Sequence, residues 1–391
     1  MERLWTKSFI LMTIGNLFLF NAFYMLYPTL PLFIKQLGGN ESQVGLAMGA
    51  FMLSAVILRP LVGGLLDRFG RRPFIIWGLI FFILAMYMYN WVGGIAVLLG
   101  LRILHGMSWA VSTTATMTAI TDMLPSTCRG EGMGWFSTSM TLAMAIGPMF
   151  GIWVAQNRSF SDLFLIAVVL SAGALLLMLG AKMPFQPKAG TRKIDLFEKS
   201  VLPVAASVFF LFIAYGGITT FVPLFAESIQ VNSGSFFLAF AATLALSRPI
   251  SGKLSDRYGE IFVIVPALVI TFGALIVLSL SSGLMGVLLS AILYGIGFGS
   301  AQPALQAATI RLTHPNRIGV ANASISTAND LGIGLGAIIL GSVSQYASYK
   351  VLFIVSALSV AISLILFTLF AKRSLQKKPS LHAESLSLES R

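Results

Sequence analysis

The sequence predicts an all-α polytopic membrane protein, with twelve transmembrane helices in two pseudo-symmetric six-helix bundles and both termini cytoplasmic. Three observations predict it. Of 391 residues, 57% are hydrophobic and 10% are charged, where a soluble domain carries roughly 25% charged residues. Apolar runs of about 20 residues, the length of a bilayer-crossing helix, recur along the chain. A short charged stretch between two such runs, GGLLDRFGRR (Gly63 to Arg72), returns in related form as SGKLSDRYGE (Ser251 to Glu260).

The first run, 8–30, is too long for a signal peptide and lacks a small-residue cleavage pattern, so it reads as a retained helix. Runs two and three, 42–62 and 73–92, flank the Gly63–Arg72 stretch. Only NWVGG (Asn90 to Gly94) divides the third from the fourth, 94–121. The fifth and sixth, 130–154 and 162–182, complete a first bundle over 1–182. The polar segment 183–200 is a cytoplasmic linker. The second bundle, 201–371, holds runs 201–226, 234–251, 261–280, 284–310, 318–342 and 350–371. From Lys372 to 391 the chain is a polar tail with no visible fold. No ten-residue alternation of the outer-membrane barrel kind is present.

Charge sets the orientation. With the N-terminus in the cytoplasm, Lys35, Arg158 and Lys350 are the basic residues left outside, and Arg102 lies within a helix. The remaining Lys and Arg fall on cytoplasmic segments or helix ends, as the positive-inside rule requires. The formal charge of +12 is thereby explained by topology. It argues against nucleic-acid binding and leaves basic side chains to meet anionic lipid headgroups. The single cysteine, Cys128, excludes an intrachain disulfide and a multi-cysteine metal site. No GxxxxGK[ST] loop, HExxH motif or nucleophile constellation occurs, so neither intrinsic ATP hydrolysis nor enzyme activity is expected, and no cofactor or metal.

Shifting the sequence by 189 positions superposes the repeat. Arg59-Pro60 falls on Arg248-Pro249, Gly63 on Gly252, Asp67-Arg68 on Asp256-Arg257, Gly70 on Gly259 and His105-Gly106 on Tyr294-Gly295. Such a register indicates two homologous halves in parallel orientation. On these residues the chain resembles the major facilitator superfamily over roughly 5–372. Gly63-x-Leu65-x-Asp67-Arg68-x-Gly70-Arg71-Arg72 matches the signature between helices two and three of that family. Arg102-x-x-His105-Gly106 resembles its fourth-helix signature, with His105 where glutamine is usual. Gly134 and Gly147-Pro148-x-x-Gly151 resemble the fifth-helix signature of proton-driven exporters, with Ala143 and Ile152 in place of glycines. Pro28-x-x-Pro31 and Asp122-x-x-Pro125 with Arg129-Gly130 are similar to the drug:proton antiporter branch.

The resemblance implies a secondary active exporter of a bacterial cell membrane, moving a small amphipathic solute by proton antiport and alternating access, and working as a monomer. The runner-up is an exporter dedicated to a cell-made metabolite such as a metallophore or lipid precursor. Gly63, Asp67, Arg68, Gly70, Arg71, Asp256 and Arg257 would form a conformational latch; a plain positive-inside loop is the alternative. Gly147, Pro148 and Gly151 would let the fifth helix bend or pack closely. Arg102 and Asp330 are the charges clearly inside predicted spans, where function is the default reading. Arg102 either serves proton coupling or ties helices together, and His105, one turn on, either titrates or packs. Asp330 is the leading proton site because the first helix offers only Asn16, Asn21, Tyr24 and Tyr27 and no acid. Asp122 and Glu227 lie near helix ends and rank lower. Asn21, Tyr24, Trp109, Tyr215, Tyr294, Gln302 and Gln306 supply the amides, hydroxyls and aromatic faces of a solute cavity, or else bridge helices.

Overall fold

In the computed structural model, the described residues are 4–124, 129–183, 198–314 and 318–377. The side chains of 64, 67, 129–131, 318, 319, 376 and 377 also lie outside the description. Among the described residues, 12 helices are long and apolar enough to cross a membrane. They are α1 (Lys7–Gln36), α2 (Glu41–Phe69), α3 (Arg72–Met88), α4 (Ile95–Met123), α5 (Arg129–Asn157) and α6 (Phe160–Leu179), then α7 (Leu202–Ser228), α8 (Ser233–Tyr258), α9 (Glu260–Leu280), α10 (Leu284–Leu312), α11 (Ile318–Tyr346) and α12 (Tyr349–Leu366). A π-turn, Phe367–Ala371, leads from α12 into a last short helix, α13 (Lys372–Lys377).

The short connections are written in cap chemistry. Thr6 caps α1 by accepting from the Phe9 N–H. Asn40 with Gln43 and Ser159 with Asp162 form reciprocal capping boxes that open α2 and α6. Gly70 and Gly259, matched by the 189-residue shift, end α2 and α8 at φ of 85° and 86°. Only glycine takes that conformation without strain.

The helices correct one sequence expectation. The Gly63–Arg72 stretch is not a charged loop: Gly63 to Phe69 are the last turns of α2, and the turn proper is Gly70-Arg71. Likewise α8 runs on to Tyr258 and only Gly259 separates it from α9. Charge ends an apolar run, but it does not end backbone hydrogen bonding, and both helices extend beyond the hydrophobic span. The expected end of the last span moves in the same way, since α13 carries helix to Lys377.

The chain divides into two compact units, one of 1–194 with 219–224 and one of 195–218 with 225–391. In the first, α1 packs on α5 and α6, α2 on α4, and α3 on α4 and α6. In the second, α10 packs on α8 and α9, and α9 on α12. Close crossings recur in register. A Cβ on Gly106 would collide with the Phe51 carbonyl and the Ser54 hydroxyl of α2; one on Gly295 would meet the Phe240 carbonyl and Thr243 of α8. Gly147 approaches Tyr24 of α1 as Gly336 approaches Ile213 of α7. Small residues at such points let helices approach within van der Waals range, which is how helices associate in lipid.

Candidate functional site

The first unit encloses its intramembrane charge. Arg102 is 2% exposed and lies seven residues into α4, about 10 Å along the axis from its start. Its Nε donates to the Ala47 carbonyl at 3.0 Å, Nη1 to the Tyr89 hydroxyl at 3.3 Å, and Nη2 faces the Met48 sulfur at 3.6 Å. The guanidinium also lies 4.2 Å from the Phe51 ring centroid, a cation–π contact strengthened by burial. Tyr89 sits in the single 3-10 turn, Tyr89–Trp91, that closes α3. Its hydroxyl is 3.0 Å from His105 Nδ1. A guanidinium can only donate, so the Tyr89 oxygen accepts from Arg102 and its own proton is available to Nδ1. When the phenol donates there, the ring hydrogen of His105 is on Nε2, which has no hydrogen-bond partner among the described residues and lies among Phe51 and Phe82. Arg102 and His105 are thus linked through Tyr89, a residue that the sequence analysis did not single out.

The aromatic candidates form stacks inside each bundle. Trp109 stacks on Phe23 at 4.3 Å and meets Phe20 edge-on at 4.8 Å. In the second unit, Tyr215, Phe298 and Tyr294 lie as parallel rings, with centroids 4.7 Å and 5.6 Å apart along the series. Trp109, Tyr215 and Tyr294 are all buried. Among the described residues the Tyr294 hydroxyl has no hydrogen-bond partner. Asn21 and Tyr24 are half-buried on α1, where the Asn21 amide donates back to the Leu17 carbonyl. Neither stays fully on the solvent side.

The amides of α10 are engaged within the second unit. Gln302 Oε1 accepts from Arg248 of α8 at 2.6 Å, and Gln306 Nε2 donates to Asn322 of α11 at 2.7 Å. Asp330 is half-buried on the same helix, eight residues beyond Asn322 and so on the same face, about 18 Å along the axis from the start of α11. Asn322 and Arg248 were missed as partners; the repeat flagged Arg248 only as the counterpart of Arg59.

The fifth-helix residues act by proximity. Gly147 and Gly151 of α5 press on Tyr24 and Met25 of α1, and Pro148 is carried within an unbroken α5. At the helix ends, Asp67, the leading latch residue, has its side chain outside the described residues, as do Pro125, Cys128 and the side chains of Arg129 and Gly130. Arg68 lies over the Phe69 ring at 5.1 Å and Arg257 over Tyr258 at 5.2 Å, the same pair one repeat apart. Asp256 is exposed, and Gly63 faces open space. Arg71 pairs with Asp122 at 2.8 Å and donates to the Leu66 carbonyl. Arg72 reaches the Leu179 carbonyl of α6 at 3.3 Å. A small cleft lies beside Arg71, Arg72 and Asp122. Among the described residues no cluster of three or more His, Cys, Asp or Glu side chains is placed to hold a metal.

Comparison with known proteins follows the same outline. Residues 12–337 match the sequence pattern of the Major Facilitator Superfamily. The chain is 25% identical over 395 aligned positions to the Multi-drug resistance efflux pump PmrA homolog of Lactococcus lactis, covering 96% of this chain and 97% of that protein. It is 26% identical over 402 positions to the Staphylopine export protein of Staphylococcus aureus, covering 95% and 96%. A bacterial homolog of the human lysosomal transporter Spinster, solved inward-facing and occupied, shares the fold at a TM-score of 0.79 with 15% identity, over 95% of this chain and 98% of that one.

Proposed function

Because the chain belongs to the major facilitator superfamily, and so is a multi-pass membrane transporter of small molecules and not an enzyme, we propose that it exports a small amphipathic organic solute by proton-coupled antiport and alternating access. The observation that carries this reading is the pair of relatives matched along nearly their whole length, one named an efflux pump and the other an export protein. The drug:proton antiporter likeness of the fifth-helix glycines is consistent with it, since Gly147 and Gly151 make close contacts rather than idle ones.

Within that reading Asp330 carries the proton. It is the acid of α11 at membrane depth, half-buried beside Asn329, and α1 has no acidic residue to take its place. Membrane carboxylates are costly to keep unless they serve such a purpose. Within its own unit each group of candidates has stacking and hydrogen-bonding chemistry for an amphipathic cargo: Asn21 and Tyr24 in the first, and Tyr215, Gln302 and Gln306 in the second, where the two glutamines would exchange their present partners for it.

A second reading has its own support: the Staphylopine export protein is named for one cargo, which favours a narrow exporter of a metabolite made by the cell. One experiment addresses both. Substrate-induced proton movement is measured in inside-out vesicles over a panel of amphipathic drugs and secreted metabolites, with wild type and Asp330→Asn side by side. The proposal expects a wild-type signal that the folded variant loses. A signal from many drugs favours broad efflux, and one from a single metabolite favours the narrow reading. A signal kept by Asp330→Asn removes the proton from that residue.

A further inference from the structure

The 189-residue repeat aligns two ion pairs and reverses their charges. Arg71 corresponds to Glu260 and Asp122 to Arg311. In the first unit Arg71 binds Asp122 at 2.8 Å; in the second Glu260 binds Arg311 at 2.6 Å. Each pair joins the start of one helix to the end of the next, α3 to α4 and α9 to α10. Position is retained while polarity is inverted.

Helix ends are not neutral toward that inversion. A helix N-terminus favours an anion and a C-terminus a cation. Glu260 stands in the first turn of α9 and Arg311 in the last turn of α10, so both members of the second pair agree with the dipoles of the helices that carry them. Arg71 is the N-cap of α3 and Asp122 is in the last turn of α4, so both members of the first pair oppose theirs. Solvent widens the difference. The Asp122 side chain is 35% exposed and borders the cleft, whereas Glu260 is 14% exposed, and an exposed pair is the weaker one. Each pair is tied to a third helix, since Arg71 Nη1 donates to the Leu66 carbonyl of α2 at 2.8 Å and Arg311 Nη2 to the Leu375 carbonyl of α13 at 3.2 Å, so the contrast between them lies in dipole and exposure. The π-turn at Phe367–Ala371 precedes the Leu375 contact.

We propose that the two ties divide the work: Arg71–Asp122 belongs to the latch that the family resemblance already implies, and its charge-inverted counterpart Glu260–Arg311 does not open with it but is a permanent staple holding α9, α10 and α13 together. The inversion of charge is the device that separates them. A transporter must loosen some helix ends while keeping others fixed, and here equivalent positions of the two units carry opposite charges. This holds for any cargo and any coupling ion.

Hydrogen exchange of the full-length protein in lipid nanodiscs tests it without a substrate. After correction for intrinsic rates, the amides of 70–75 and 119–123 are expected to exchange about tenfold faster than those of 259–264 and 308–312. Glu260→Gln is expected to accelerate exchange at the second tie about tenfold, while Arg71→Gln changes the first about threefold or less. The double variant Arg71→Glu with Asp122→Arg copies the second arrangement into the first and is expected to slow exchange there. The Leu66 carbonyl that it releases still accepts from the Gly70 N–H. Equal exchange at the two ties in wild type, or a Glu260→Gln protein indistinguishable from wild type, would overturn the proposal.

Discussion

Arg102 carries its charge into the first bundle and, among the described residues, pairs with no carboxylate there; a carbonyl, a phenol, a thioether and a ring share it. Those partners suit a flat guanidinium, which can stack on Phe51 while its edges donate. An ammonium cannot do both. Arg102→Lys should therefore cost about 2 kcal/mol or more, while Arg102→Met, which removes the buried charge at similar length, should cost less. Thermal midpoints of the purified variants check the order. If transport survives in Lys but fails in Met although Met is the more stable protein, the charge itself is used in coupling. His105 gives a second prediction at this scale. Its Nδ1 is 3.0 Å from the Tyr89 hydroxyl, and a glutamine amide can either accept from that hydroxyl or donate to it, so His105→Gln should keep the transport rate and its pH profile near wild type. His105→Ala should lose stability by about 1–3 kcal/mol through the unpaired tyrosine and the void. Arg102 and Asp330 were legible in the sequence because a charge inside an apolar run is conspicuous. Tyr89 was not, since a tyrosine beside an interfacial turn looks like any membrane-belt aromatic.

Between elements, the glycines of the signatures separate into those that touch something and those that do not. Gly106 leaves no room for a Cβ against the Phe51 carbonyl, a backbone atom that cannot swing away. Gly106→Val should cost about 3 kcal/mol or abolish folding, with Gly295→Val behaving alike in the second unit. Gly63 stands inside α2 with nothing within 4 Å of a built Cβ, so Gly63→Ala should raise helix stability by about 0.5–1 kcal/mol. Transport by that stable variant then reads the latch alone: a fall in rate without a fall in melting temperature assigns Gly63 to motion. Gly70→Ala, at φ of 85°, should instead lose about 1–2 kcal/mol. The repeat register matched Gly106 with Gly295 before the structure did, but not the helices that they press on. The ends of α2 and α8 were not legible, because hydropathy reports where lipid stops and not where a helix stops. The Arg71–Asp122 and Glu260–Arg311 pairs were hidden for a related reason. The repeat was read for identical residues, and a pair that keeps its place by exchanging its charges shares none.

At the scale of the whole chain, the fold follows from two facts of composition, long apolar runs and a repeated register, and neither depends on what is carried. The site depends on which side chains meet, as Tyr89 with His105 and Gln306 with Asn322 do, and no period in the sequence announces such meetings. Orientation stands between the two, because it rests on charge summed over many loops. With the basic residues placed inside, the end of α8 at Tyr258 faces the cytoplasm and the end of α11 at Tyr346 faces the exterior, these helices running in opposite senses across the membrane. Both side chains are exposed, at 54% and 88%, so a thiol in either place can be reached. In a Cys128→Ser background, Tyr346→Cys should react with a membrane-impermeant maleimide in intact cells, and Tyr258→Cys only after permeabilisation. Adding the reagent to inside-out vesicles should exchange the two results. The reverse pattern would turn the whole molecule over, put the Arg68 and Arg257 helix ends outside the cell, and leave the excess of Lys and Arg with no topological reason to exist.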